Sequence, residues 1–127
     1  ITILNKSNEE ISFVYALENN ITLLAGSEKD RYYIGENSRI SDNLSNTGEY
    51  KGKIFGMADE GYIKIKLFLE TNEETNFLYM PNYTISDAVD KLEMNYQNST
   101  IVLCKEINLK PNEKIEYNIK ARIEELK

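Results

Sequence analysis

The chain has 127 residues and a formal net charge of −6, with 21 acidic and 15 basic residues, no histidine and one cysteine. That length suits one domain with its own core. The singly scattered Lys and Arg give a phosphate backbone nothing to follow, and the missing histidine removes the usual base for a Ser or Cys nucleophile. A lone cysteine closes no intrachain disulfide, and no apolar run approaches the roughly 20 residues of a membrane-spanning helix.

In chain order, Ile1 to Leu4 reads as a short strand, and Asn5-Lys6-Ser7-Asn8 as a polar turn. Ile11, Phe13, Tyr15 and Leu17 alternate with Ser12, Val14, Ala16 and Glu18, as in a strand with a modest second face. Asn19-Asn20 reads as a turn, Ile21 to Ala25 is strand-like up to Gly26-Ser27, and Arg31 to Ile34 is a further short extended piece. From Gly35 to Gly48 the chain is polar and rich in Gly, Asn and Ser, which predicts a long loop, mobile or lying over the surface. Tyr50 to Phe55 and Tyr62 to Leu69 form the central pair, joined by a linker bracketed by Gly56 and Gly61. Ile63, Ile65, Leu67 and Leu69 are read as inward, and Phe68 breaks the pattern. Thr71 to Thr75 reads as a turn before the extended piece Asn76 to Met80.

Ser86 to Met94 is the one helix-like stretch. Ser86 can cap it, and Val89 and Leu92 make an apolar stripe, so a two-turn crossover helix is expected there. Ser99 to Glu106 is a strand in which Cys104 is read as a buried, inert thiol. After the turn signal Lys110-Pro111-Asn112, Ile115, Tyr117, Ile119, Ala121 and Ile123 alternate with polar residues, which predicts one long amphipathic strand from Glu113 to Ile123. Short strands at this spacing, with turn chemistry between them, predict an antiparallel β-sandwich over residues 1–127.

Two stretches resemble a known family. Asn20-Ile-Thr-Leu-Leu-Ala-Gly-Ser27, followed after a polar stretch by Gly52 to Lys66, resembles an early strand and later hairpin of Ig-like repeat modules in Gram-positive bacterial surface proteins. Leu109-Lys110-Pro111-Asn112-Glu113 is similar to the lead-in before the closing strand of such modules, with Asn112 where they usually carry Gly. Asn also tolerates the left-handed region. The resemblance implies an Ig-like β-sandwich from a longer surface protein, acting as a structural or adhesive module on a cell wall or cell surface. Neighbouring modules of the same chain, and a host protein or glycan, would be its partners. It also implies an intramolecular Lys–Asn bond, for which Lys6, Glu70 and Asn118 are the available trio. Asn118 falls on the polar face, however, and that reaction needs its groups desolvated together.

No catalytic, cofactor or metal set can be assembled from the remaining residues. Asp59-Glu60, Asp87 with Asp90, and Asp42-Asn43 lack the spacing of known Ca²⁺ loops. Five Asn-x-Ser/Thr matches, at Asn5, Asn20, Asn43, Asn82 and Asn98, fit residues common in turns. The nine tyrosines carry the binding flavour, and Tyr32, Tyr33, Tyr79 and Tyr83 are the candidate ligand contacts. Two readings follow: a noncatalytic surface module, or a carbohydrate-binding module attached to a secreted enzyme. Neither involves nucleic acid, membrane insertion or a cofactor. The first residue is Ile, so the chain is expected to come from something longer.

Overall fold

A computed structural model describes residues 1–88 and 91–126. The strands are β1 (Thr2–Leu4), β2 (Ile11–Ile21), β3 (Arg31–Ile34), β4 (Gly48–Asp59), β5 (Ile65–Ala88), β6 (Lys91–Leu109), β7 (Lys114–Glu116) and β8 (Ile119–Glu125). β2, β6, β5, β4 and β3 pair side by side in that order, β8 pairs with the first part of β5, and β1 pairs with β7. Every ladder is antiparallel.

Two long strands serve both layers. Gly48–Gly52 of β4 pairs with Thr75–Tyr79 of β5, whereas Ile54–Asp59 pairs with Ile65–Glu70, and the register shifts between Gly52 and Ile54. At the matching point of β5, the Thr71 and Thr75 hydroxyls both reach the Glu73 carbonyl, at 2.7 and 3.0 Å, so the chain bends without leaving polar groups bare. One layer therefore holds β2, β6, the later part of β5 and the start of β4, and the other holds β3, the later part of β4, the start of β5 and β8. Corners of this kind, made by strands that bend from sheet to sheet, are a known route to a sandwich. Tyr33, Phe55, Met57 and Leu69 from one layer meet Phe77, Tyr79, Ile101 and Leu103 from the other in the main core.

The expected antiparallel sandwich is the observed class, with several local corrections. β2 runs on through Asn19 and Asn20 and ends at Ile21, so the expected turn there is strand and the expected strand to Ala25 is loop. Ile63, expected inward, is exposed in the turn before β5, and Thr71–Thr75 continues β5 where a turn was expected. The helix expected over Ser86–Met94 is instead a hairpin: Ser86 pairs with Glu93, Asp87 with Leu92 and Ala88 with Lys91. Val89 and Asp90 of that expected helix lie outside the described residues. A two-turn helix is marginal by itself, while continuing β5 and β6 adds a ladder bond with each pair. The expected closing strand is two, because β7 pairs with β1 and β8 with β5, with the buried Tyr117 between them. Cys104 is half-buried on an outer face, between Ala16 and Asn76, rather than in the core. The Gly56–Gly61 linker begins later than expected, since β4 runs to Asp59.

Phe68 does not merely interrupt a pattern. It packs with Tyr32, Ile34 and Ala58 in a second, smaller cluster on the outer side of its layer. Arg122 stacks 4.5 Å above the Phe68 ring and Arg39 4.1 Å above the Tyr32 ring, so two guanidinium groups roof that cluster. Asn112 has φ 64°, as its place in the turn anticipated. Asn5 is 1% exposed, and its side chain accepts from Ser7 N and donates to the Glu9 and Leu109 carbonyls. That Asn-x-Ser match is a buried turn lock.

Lys6, Glu70 and Asn118 do not meet in a buried site. Lys6 and Asn118 are exposed, and Glu70 is engaged by Arg122 at 2.8 Å.

Candidate functional site

The segment between β3 and β4 lies over the surface and is tied down at several points. Gly35 N donates to Ser38 O at 2.8 Å and Ile40 N to Tyr33 O at 3.0 Å, which folds the segment back along β3. Ser41 Oγ accepts from Tyr33 N at 2.8 Å and reaches Asn43 O at 2.9 Å. Arg39 donates to the carbonyls of Ser41, Lys29 and Asp42 while its plane covers Tyr32. Leu44, fully buried, is the apolar plug that fixes the middle of the loop to the main core.

This pinned loop forms one wall of a cleft. Arg39, Ile40, Ser41, Asp42, Asn46 and Thr47 line it with Tyr79, around a cavity of about 470 Å³. Tyr83, from β5, closes against the same loop, its hydroxyl donating to Ser45 O at 3.4 Å. Asp42, Asn46 and Thr47 are exposed. The Asn46 side-chain oxygen accepts from Asn43 N at 3.3 Å, which leaves its NH₂ as a donor. A carboxylate, an amide and a hydroxyl beside an aromatic ring can hold vicinal hydroxyls and stack on a sugar face. Among the described residues no group of three or more His, Cys, Asp or Glu is placed to hold a metal ion.

The four candidate tyrosines separate clearly. Tyr33 is fully buried, Tyr32 is 6% and Tyr79 7% exposed, and Tyr83 is 37% exposed. Of the four only Tyr83 is exposed, and it lies against the cleft loop at Ser45; Tyr79 lines the cleft, and Tyr32 and Tyr33 are committed to the two clusters. The Tyr33 hydroxyl lies 2.6 Å from Ser99 Oγ and 3.1 Å from Leu44 O, and Tyr96 shares the same Ser99 hydroxyl at 2.6 Å. The sequence singled out neither Asn46 nor Thr47 and offered Asp42 only as a Ca²⁺ candidate with Asn43, although the polar loop that carries all three was visible.

Burial raises several of these phenols. Tyr32 is pushed up to about 12, first by burial and then by its hydrogen bond to Glu60. Tyr33 rises further, again through burial, and Tyr79, Tyr96 and Tyr117 rise for the same leading cause. The unfolded chain therefore loses these protons near the ordinary value of 10 while the folded chain keeps them. Stability from this source is complete below about pH 10 and is lost as pH climbs towards the raised values. Urea unfolding is expected to show a clearly lower midpoint at about pH 11 than at about pH 8, and an unchanged midpoint would contradict these burials.

A family model described as "Alpha-amylase/4-alpha-glucanotransferase, C-terminal" matches residues 1–119. No curated protein and no solved structure matches the chain.

Proposed function

We propose, from the premise that the chain belongs to the family of alpha-amylase/4-alpha-glucanotransferase C-terminal domains, that it is the noncatalytic β-module of a carbohydrate-active enzyme and holds glucan at the cleft beside Tyr83. The family match carries this reading, and it favours attachment to an enzyme over a stalk or adhesin on a cell wall. The neighbouring module of the same polypeptide is then a catalytic domain acting on α-linked glucose. The cleft supports recognition because hydroxyl-binding groups sit beside an accessible ring, a pairing that suits a polyhydroxylated ligand with apolar ring faces.

Electrophoresis of the 127-residue chain through gels containing soluble starch or glycogen tests it, with maltoheptaose titration for affinity. Retardation by α-glucan and none by cellulose is the expected result. Tyr83→Ala is expected to weaken binding about fivefold, equivalent to about 1 kcal/mol of lost stacking, and Tyr83→Phe to retain most of it. Asp42→Ala combined with Asn46→Ala should abolish measurable retardation while leaving thermal unfolding within a degree or two. A wild-type chain that migrates identically with and without every glucan would sink the recognition role.

A further inference from the structure

The sheet edges are treated unequally. β3 is four residues long, wholly buried, and covered by the loop that follows it. β8 carries Lys120, Arg122, Glu124 and Glu125 along its seven residues, the charged edge that discourages strand addition. β1 and β7 are three residues each. β2 is different: eleven residues long, paired on one side to β6 without a register break from Ile11 to Ile21, and, among the described residues, next to no other strand on its outer side. It holds no Lys, Arg or Pro and a single charge, Glu18. Phe13 and Val14 are 37% and 58% exposed on it.

We infer that β2 is a strand-addition interface and that its occupant is β2 of a second copy of this chain, paired antiparallel about a twofold axis at Ala16, the middle residue of the strand. The strand's own sequence argues for this partner. Centred on Ala16, all eleven residues pair: Ile11 faces Ile21, Phe13 faces Asn19, Val14 faces Glu18, and Tyr15 faces Leu17. Glu18 thus meets an aliphatic side chain in both halves and never its own copy, so no like charges oppose. The smallest side chain of the strand sits at the axis, where the two backbones and two identical residues must meet. Each outward N–H and C=O of β2 gains a partner, and the two sheets become one continuous sheet.

The test is sedimentation equilibrium of the 127-residue chain, with charge swaps at the axis. Ala16 is exposed, so a charged side chain there does not disturb the core of one copy. Wild type is expected to sediment as a dimer, and Ala16→Lys and Ala16→Glu each as monomers with unchanged circular dichroism. An equimolar mixture of the two variants is expected to restore the dimer, which a folding defect would not do. Wild type that stays monomeric up to millimolar concentration overturns the inference and leaves the edge to another domain of the polypeptide. A dimer that persists in Ala16→Lys overturns it too, since the contact would then lie on another face. Glucan binding is measured separately, so failure here leaves the cleft reading untouched.

Discussion

Phe55→Ala is expected to destabilise the chain by about 4 kcal/mol, the upper part of the range for removing a buried aromatic ring. Phe55 is fully buried where the layers meet, with ring centroids 5.2 Å from Phe77, 5.4 Å from Tyr79, 5.9 Å from Tyr33 and 6.0 Å from Tyr50. Its loss removes transfer free energy and also opens a cavity that four other rings, held by their own strands, cannot fill by moving inward. Against a total of about 5–15 kcal/mol for an ordinary domain, that is a large share. Urea titration should show a much lower midpoint with an unchanged slope, and melting should fall by about 15 °C. Phe55→Leu should recover more than half of the loss. A cost below about 1 kcal/mol would mean that the ring is not enclosed as described.

Asp59→Ala should cost about 3–5 kcal/mol by a different route. Asp59 is fully buried at the end of β4, where Oδ1 accepts from Gly61 N at 3.0 Å and Tyr62 N at 2.9 Å, and Oδ2 from Ile63 N at 3.3 Å. One carboxylate thus organises the whole turn into β5. Arg31, 7% exposed, brings Nε to 3.3 Å from the same carboxylate, without the alignment of a hydrogen bond, and Nη1 to 2.5 Å from Asp30. Removing Asp59 strands three amides and leaves a buried guanidinium with one half-exposed partner. Asp59→Asn keeps acceptor capacity and should be milder, as should Arg31→Met, which leaves the amides satisfied. Equilibrium unfolding of the three variants checks the order. Equal costs for Asp59→Ala and Arg31→Met would show that the ion contact, and not the turn, dominates.

The class of fold was legible because period two is a short-range signal, and β2, β4 and β5 express it over many residues. What failed depended on distant partners. Thr71–Thr75 reads as a turn because its residues are polar, yet the hydroxyls serve the backbone of a strand that bends and continues. Phe68 looked like an error in alternation because its companions, Tyr32, Ile34 and the covering Arg122, lie far away in sequence. The break at Tyr117 is equally hidden, since only the pairing with β1 on one side and β5 on the other makes it necessary. Tyrosine was the poorest guide to the site. Its ring suits a core and its hydroxyl suits water, so type and spacing cannot separate Tyr33, which closes a buried network, from Tyr83, which is exposed against the cleft loop.

Because β4 and β5 each run through both layers, the module has no seam along which one sheet can peel away and leave the other intact. Partial opening, where proteins usually yield a contiguous piece at a time, is restricted here to termini and loops. Amides of β4 and β5 should then exchange with solvent at a common slow rate, as one foldon. A polymer tugging at the cleft loop, whose Leu44 plug reaches the ring stack, would load both sheets together.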